Sequence, residues 1–244
     1  MLKLNEYFKL IRLSRNRLKS QDSVIKFQNY QARLILKELN NKGIDIKDLK
    51  IIELGCGKGG YSLELYKKSK NLTIADIRKP DLFLKRYPKV KFTQFDFSKK
   101  FPLEDKQFDF IFCSNIIEHI KNPLFFLREC ERILKPGGLM FLSFPPFYSP
   151  HGGHSVKPFH YLGEKLSIKI NNKLRKTQIT KYEKMFGTWG MYKLKIKDVK
   201  NIIKKTNLEI KNTWVKYSPI NFAKIPFLDE ILTWHVCFIL HKKN

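Results

Sequence analysis

The sequence predicts an α/β fold: a doubly wound, mostly parallel sheet with helices on both faces. Three observations point there. From residue 50 onward, short apolar runs alternate with helix-patterned stretches, the rhythm of strands joined by crossover helices. The stretch "NPLFFLRECERILKPGG" (122–138) carries helix punctuation, with Asn122 as a cap, Pro123 in the first turn and Pro136-Gly137-Gly138 as the stop. The chain has 244 residues, 43% hydrophobic and 29% charged, enough for one large core and some additions.

Residues 1–40 read as helical. Leu4, Phe8, Ile11 and Leu18 recur near helical spacing, as do Phe27, Tyr30, Leu34 and Leu39. We therefore expect an N-terminal helical extension over 1–45. The first 20 residues hold six basic side chains and one acid. That pattern suits a peripheral membrane helix or an anion-binding arm, and more simply a helix packed on the domain with a solvated face. Five strands are expected at 49–55, 71–77, 89–97, 108–115 and 138–145, with helical stretches at about 60–69, 79–86, 116–120 and 123–135. They form a core over 48–146. Residues 147–192 break the rhythm with Pro, Gly, His and aromatics followed by a basic polar run, and an insertion this long predicts a lid over a substrate. Over 193–244 a helix (195–207) and two strands (208–218 and 231–242) are expected, the strands as an antiparallel pair. The whole reads as a single domain without internal repeats.

Composition narrows the function. The net charge is +26, from 48 basic and 22 acidic side chains. Such an excess favours anionic partners, yet the lysines are spread along the chain, as on a plain solvated surface. Cys56, Cys113, Cys130 and Cys237 form no C-x-x-C pair, fit neither a zinc site nor a disulfide framework, and suggest a reducing, cytoplasmic setting. No apolar run reaches the roughly 18 residues of a membrane-spanning helix, and no signal peptide is expected.

The stretch "IIELGCGKGG" (51–60) carries chemistry. Gly55, Gly57 and Gly60 satisfy G-x-G-x-x-G, and Asp76 follows about 20 residues later, which matches a dinucleotide fingerprint. Glu53 argues against a dinucleotide, because a carboxylate there would repel a pyrophosphate and welcome a cationic ligand. S-adenosylmethionine carries an ammonium, a sulfonium and no phosphate. Asp76, with Ile77 beside it, ends the second predicted strand, where a carboxylate can accept from both ribose hydroxyls. Asp96 ends the third, placed for an adenine amino group, with Phe95 or Phe97 against the ring. Asn115 ends the fourth, beside the methyl donor. Ligands of open α/β sheets lie at these carboxyl ends.

Together "IELGCGKGG", "ADI", "FDFIFCSNIIEHI" and "FLRECERILKPGGLMFLSFPP" resemble the class I S-adenosylmethionine-dependent methyltransferases, in the type 11-like branch with small-molecule, lipid or glycan substrates. The resemblance covers about 48–146. It implies a Rossmann-like, seven-stranded sheet whose last strand is antiparallel. It also implies Glu53, Gly55 and Gly57 at the methionine end of the cofactor, Asp76 at the ribose and Asp96 at the adenine, with Cys56 contributing backbone contact only.

Methyl transfer to a hydroxyl is helped by a general base. The candidates are His119, just past the fourth predicted strand, and His151, His154 and His160 in the insertion. The H-x-x-H-x5-H spacing of the last three hints at a metal, but no acid or cysteine joins them in sequence, so no metal site is expected. The acceptor is expected to be a small molecule or a sugar- or lipid-linked compound, methylated at oxygen. RNA is the alternative, since residues 161–216 hold 15 basic and four acidic side chains interleaved with Tyr182, Phe186, Trp189 and Tyr192. An NAD-dependent oxidoreductase and a non-catalytic binding protein are more remote alternatives.

Overall fold

In the computed structural model the described residues are 3–17, 19–186, 189–216, 220–225 and 228–243, so Leu18 and positions 217–218 of the expected sixth strand lie outside them. Seven strands form one sheet: β1 (Ile51–Leu54), β2 (Leu72–Asp76), β3 (Lys91–Gln94), β4 (Phe108–Ser114), β5 (Leu134–Phe144), β6 (Leu208–Val215) and β7 (Val236–Lys242). Their order is β3-β2-β1-β4-β5-β7-β6. β1 to β5 pair in parallel, and β7 runs antiparallel between β5 and β6. The order reverses between β1 and β4, which is where such sheets bind ligands.

The strands alternate between two cores. Ile52, Ile111, Met140, Leu142 and Phe238 face one apolar cluster, whereas Ile51, Phe110, Phe112, Phe141 and Ile239 face the other. Side chains of period two, buried on both faces, explain why the central strands read as continuous apolar runs. The first cluster is closed by α5 (Pro123–Ile133) and α7 (Ile196–Ile203), through Phe126, Leu127, Cys130, Val199 and Ile203. The second is closed by α2 (Gln21–Asn41), α3 (Gly60–Lys68) and Phe83 of α4 (Asp81–Arg86). Helix α1 (Leu4–Asn16) packs on α2 through buried Leu10 and a 2.6 Å ion pair between Glu6 and Lys37. All four cysteines are free and buried. No helix among the described residues is long and apolar enough to cross a membrane.

Several expected boundaries shift, each for a local reason. Asn122 caps α5 as expected, accepting from Phe125 N at 3.1 Å, but the helix ends at Ile133. Pro136-Gly137-Gly138 lies inside β5, where it takes up extra residues between the pairs Phe108–Leu134 and Phe110–Leu139. The expected helix at 116–120 is one 3-10 turn, Ile117–His119. Helix α7 is shorter than the expected 195–207. The expected strand 231–242 starts only at Val236, because Asp229–Leu232 form a short helix, α8. Glu230 of α8 accepts from Ile196 N and Lys197 N, both at 3.0 Å, and so satisfies orphan donors at the start of α7.

The insertion has a core of its own. Phe147, Val156, Ile168, Tyr182, Met185 and Met191 form a third cluster around α6 (Glu164–Arg175). Ser167 Oγ and Tyr182 OH meet at 2.6 Å, and Glu164 accepts from Tyr182 N at 2.7 Å. The segment is a packed cap rather than an extended loop.

Phe126 is fully buried, with ring neighbours Phe97 and Phe101 at 6.3 and 5.9 Å. Phe126→Ala should cost about 3–5 kcal/mol of stability, read as a lower urea midpoint at unchanged slope. A change below about 1 kcal/mol would contradict this packing.

Candidate active site

The loop between β1 and α3 turns on glycines. Gly55 has φ +81°, and a Cβ there would lie 2.0 Å from Ile116 Cδ1. Gly57 has φ +53° and nothing within 4 Å of where its Cβ would be, so the turn presents bare backbone to open space. Gly57 N donates to Asp76 Oδ2 at 2.8 Å, tying the turn to the end of β2. Cys56 is buried and its N donates to Ala75 O at 3.2 Å. Burial, then the nearby Glu53 and Asp76, raises its thiol pKa, so it is an inert wall.

Glu53 lies beneath the turn, 1% exposed. Ser62 Oγ of α3 donates to its Oε2 at 2.5 Å, while Oε1 has no hydrogen-bond partner among the described residues. Burial pushes its pKa up to about 8, the Ser62 hydrogen bond opposes the rise, and the charge of Asp76 adds to it. A buried carboxyl with a free oxygen calls for a donor, best a cationic one. The ammonium of S-adenosylmethionine meets that need, and a pyrophosphate would aggravate it. These residues therefore fit that cofactor.

The other expected contacts are placed as follows. Asp76 Oδ1 also accepts from Arg78 N at 3.0 Å, and each oxygen keeps a second lone pair for a diol. Ile77 O accepts from Gln94 Nε2 at 3.0 Å. Asp96 lies two residues beyond β3 rather than at its end, and its Oδ1 accepts from Ser98 N and Oγ at 2.9 and 2.7 Å. Phe97 is in the first core cluster, and Phe95 is the half-buried ring beside it at 5.1 Å. Asn115 has φ +63°, a left-handed backbone that Asn tolerates better than most residues, and its Oδ1 accepts from Ser114 Oγ at 2.9 Å.

The structure separates the four histidines. His119 and His154 have ring centroids 4.9 Å apart, and Phe186 and Trp189 each lie 5.2 Å from the His119 ring. His119 Nδ1 donates to Gly190 O at 2.7 Å and Tyr192 N donates to Glu118 O at 3.0 Å, so the insertion is stapled to the 3-10 turn after β4. His151 instead meets Lys157 Nζ at 3.3 Å and the Trp234 ring at 4.9 Å. His160 is buried, with Nε2 donating to Ser149 O at 3.1 Å. Both are engaged away from the His119–His154 pair. The expectation that no acid joins the histidines is corrected by Glu118, buried with its Oε1 4.0 Å from Nε2 of both His119 and His154. The ligand-capable atoms of these three residues lie within 4.8 Å of one another.

Two more candidate residues, both buried and titratable, escaped the sequence reading. Glu118 finds no hydrogen bond for either oxygen, although the Asn115 amide is close enough to ease its ionisation. Burial raises its pKa to about 8, against the pull of its own backbone and the Lys216 charge. Lys216, just past β6, is also buried, and its Nζ donates to Ser114 and Ser143 Oγ at 3.2 and 3.4 Å. Burial pulls its pKa down to about 8. The adjacent Glu118-His119 pair just past a strand end was a readable signal, whereas nothing local marks Lys216. A cavity of about 1430 Å³ runs along edge strand β6 between α2 and α7 and is lined by neither Glu53 nor Asp76.

These shifts set a pH dependence. Between pH 6.5 and 8, Glu53 and Glu118 hold protons in the folded chain that the unfolded chain has lost, so stability falls as pH rises, by at most about 1.4 kcal/mol per pH unit for each group. His151 and His154, lowered to about 4 and 3, cost stability only below their ordinary range. Lys216 acts only above about 8, where its own contribution rises with pH and the raised thiols of the four buried cysteines work against it. Urea unfolding from pH 6.5 to 8 should show this fall, and Glu53→Gln should lessen it. A flat profile would contradict the burial of both carboxyls.

Residues 52–142 match the family described as methyltransferase domain. Two ubiquinone biosynthesis O-methyltransferases are similar: that of Pseudomonas aeruginosa is 30% identical over 100 residues, covering 38% of this chain and 43% of the relative. That of Colwellia psychrerythraea is 31% identical over 115 residues, covering 43% and 47%. The chain thus spans less than half the length of these curated relatives. Among solved structures, an S-adenosylmethionine-dependent methyltransferase from Clostridium acetobutylicum superimposes with TM-score 0.63 at 15% identity, covering 97% of this chain and 99% of that one. Another, from Mesorhizobium loti, gives 0.59 at 16%, covering 84% and 96%. At these identities the likeness is one of fold.

Proposed function

We propose that this chain, which over residues 52–142 belongs to the methyltransferase domain family, is an S-adenosylmethionine-dependent methyltransferase acting at oxygen on a small-molecule, sugar or lipid-linked acceptor. The observation that carries the reading is the buried Glu53, whose unpartnered oxygen lies under a bare glycine turn. When bound, the cofactor supplies an electrophilic methyl group on a sulfonium. The chain's own work is positioning. Glu53 and the backbone of Gly55 to Gly57 would hold the methionine end, Asp76 the ribose diol, and Asp96 with Phe95 the adenine. Asn115 and the turn after β4 lie next to the glycine loop through the contact of Ile116 with Gly55. The stapled insertion shields this region from water, which favours orientation over hydrolysis. The two O-methyltransferase relatives support oxygen as the target.

The RNA alternative finds less support in the placement of its aromatics. Tyr182 lies in the third core cluster, and Phe186 and Trp189 pack on His119, so these rings do not offer an open stacking face. Peripheral contact with an anionic membrane remains part of the proposal, because Leu4 and Phe8 of basic α1 are 68% and 60% exposed.

Calorimetric titration with S-adenosylmethionine, S-adenosylhomocysteine and NAD should show micromolar binding of the first two and none of NAD. Asp76→Ala should weaken S-adenosylmethionine by about 10- to 100-fold, since the diol and the Gly57 amide both lose their acceptor. Binding of NAD alone would overturn the reading. Replacing Leu4 and Phe8 by serine should reduce co-sedimentation with anionic vesicles while leaving cofactor affinity unchanged. Undiminished co-sedimentation would remove the membrane contact.

A further inference from the structure

We propose that Glu118, His119 and His154 form the subsite for the acceptor's reacting hydroxyl, an alcohol or phenol, whose proton passes to His119 Nε2. The proposal rests on the methyltransferase reading and specifies the acceptor end of that site.

The hydrogen bonds fix the chemistry of His119. Its Nδ1 faces a carbonyl, Gly190 O at 2.7 Å, and a carbonyl only accepts. Nδ1 therefore carries the proton, and in the neutral ring Nε2 keeps a lone pair. Burial lowers the pKa of His119, opposed by the Gly190 bond, so the resting ring is neutral and its Nε2 lone pair is open to a proton.

Around that lone pair the structure gathers buried polar atoms with no hydrogen-bond partner among the described residues: both oxygens of Glu118, His154 Nε2 and Trp189 Nε1. Native interiors leave few such atoms, so several in one place mark the seat of a ligand. His154 is held there in a left-handed backbone, φ +45°, which is costly for a histidine and typical of functional sites.

Spacing indicates what the ligand presents. Nε2 of each histidine is 4.0 Å from Glu118 Oε1, and the ligand-capable atoms of the three residues lie within 4.8 Å of one another. An oxygen placed among them reaches each at about 2.8 Å, a hydrogen-bond length. Tetrahedral zinc ligands would have to be about 3.4 Å apart. A hydroxyl can donate to His119 Nε2 while accepting from His154 Nε2 in the tautomer that carries its proton there. A carboxylate acceptor has no proton to give to His119 Nε2, and an aliphatic amine arrives as an ammonium without its lone pair.

The cluster also borders the cofactor end. Ile116, at the head of the same turn, packs on Gly55, and Arg78, two residues past β2, lies over the Trp189 ring at 6.0 Å. In the step itself, the acceptor oxygen bonds to the methyl carbon as the carbon–sulfur bond breaks. The electron pair leaves with sulfur as S-adenosylhomocysteine forms, and the hydroxyl proton goes to His119 Nε2.

The test uses the full chain with ¹⁵N-labelled histidine, saturated with S-adenosylhomocysteine and titrated separately with phenol, benzoate and benzylamine. Phenol should move the Nε2 resonances of His119 and His154, and the other two should leave them in place. His119→Asn keeps a donor for Gly190 O but removes Nε2, so it should abolish the residual response at His154 while S-adenosylhomocysteine binds within about twofold of the parent. Glu118→Gln should weaken the phenol response at least about tenfold. Several results would overturn the subsite: no response to phenol in a chain that binds S-adenosylhomocysteine, an equal response to benzoate or benzylamine, or shifts that follow added zinc or magnesium and vanish with a chelator. If S-adenosylhomocysteine itself does not bind, the methyltransferase reading fails and this inference falls with it.

Discussion

A parallel sheet covered on both faces can expose its polar chemistry only at its carboxyl edge, and that constraint organises the molecule. Along β1 and the inner parts of β4 and β5 a side chain must be apolar or satisfied, because water reaches neither face there. The polar groups that matter therefore sit at strand ends or just past them: Glu53, Asp76, Asn115, Glu118 and Lys216. Where one is still drawn inward, as Glu53 is, the fold leaves it half satisfied, by Ser62 on one oxygen only. The unsatisfied half is what a ligand can use.

The same economy applies around Glu118, where a carboxyl, two imidazoles and an ammonium share one buried region. Desolvation moves each toward its neutral form: the acids up, the histidines and the lysine down. The geometry of this region is not set by one element. The turn after β4 supplies Glu118 and His119, the insertion supplies His154 and Trp189, and the residue after β6 supplies Lys216.

That division explains how far the sequence could be read. The strands were legible because burial on both faces writes itself as apolar runs, and the cofactor end because Glu53, the glycines and Asp76 lie within one β-α-β stretch. Glu118 and His154 are 36 positions apart, and only the stapling of Gly190 and Tyr192 to the turn brings them together. Spacing instead suggested His151, His154 and His160 as a set, which the fold breaks up by giving His160 a backbone carbonyl and His151 a lysine and a tryptophan. The start of β7 was misplaced because the value of Glu230 lies in capping α7, a contact across more than thirty residues. Pro136-Gly137-Gly138 carries the marks of a helix stop, yet the backbone uses it to shape a strand.

The position of β7 also bears on how the chain is made. It is the strand of latest sequence, yet it lies between β5 and β6 and supplies Val236, Phe238 and Leu240 to one core and Cys237 and Ile239 to the other. As the chain emerges from the ribosome, β1 to β5 can assemble in order, but β6 has no partner until residues 236–242 are out. During that interval the outer edge of β5 stays open, with unpaired backbone groups and apolar side chains in reach of other chains. The longer that edge waits, the longer it is open to pairing with other chains.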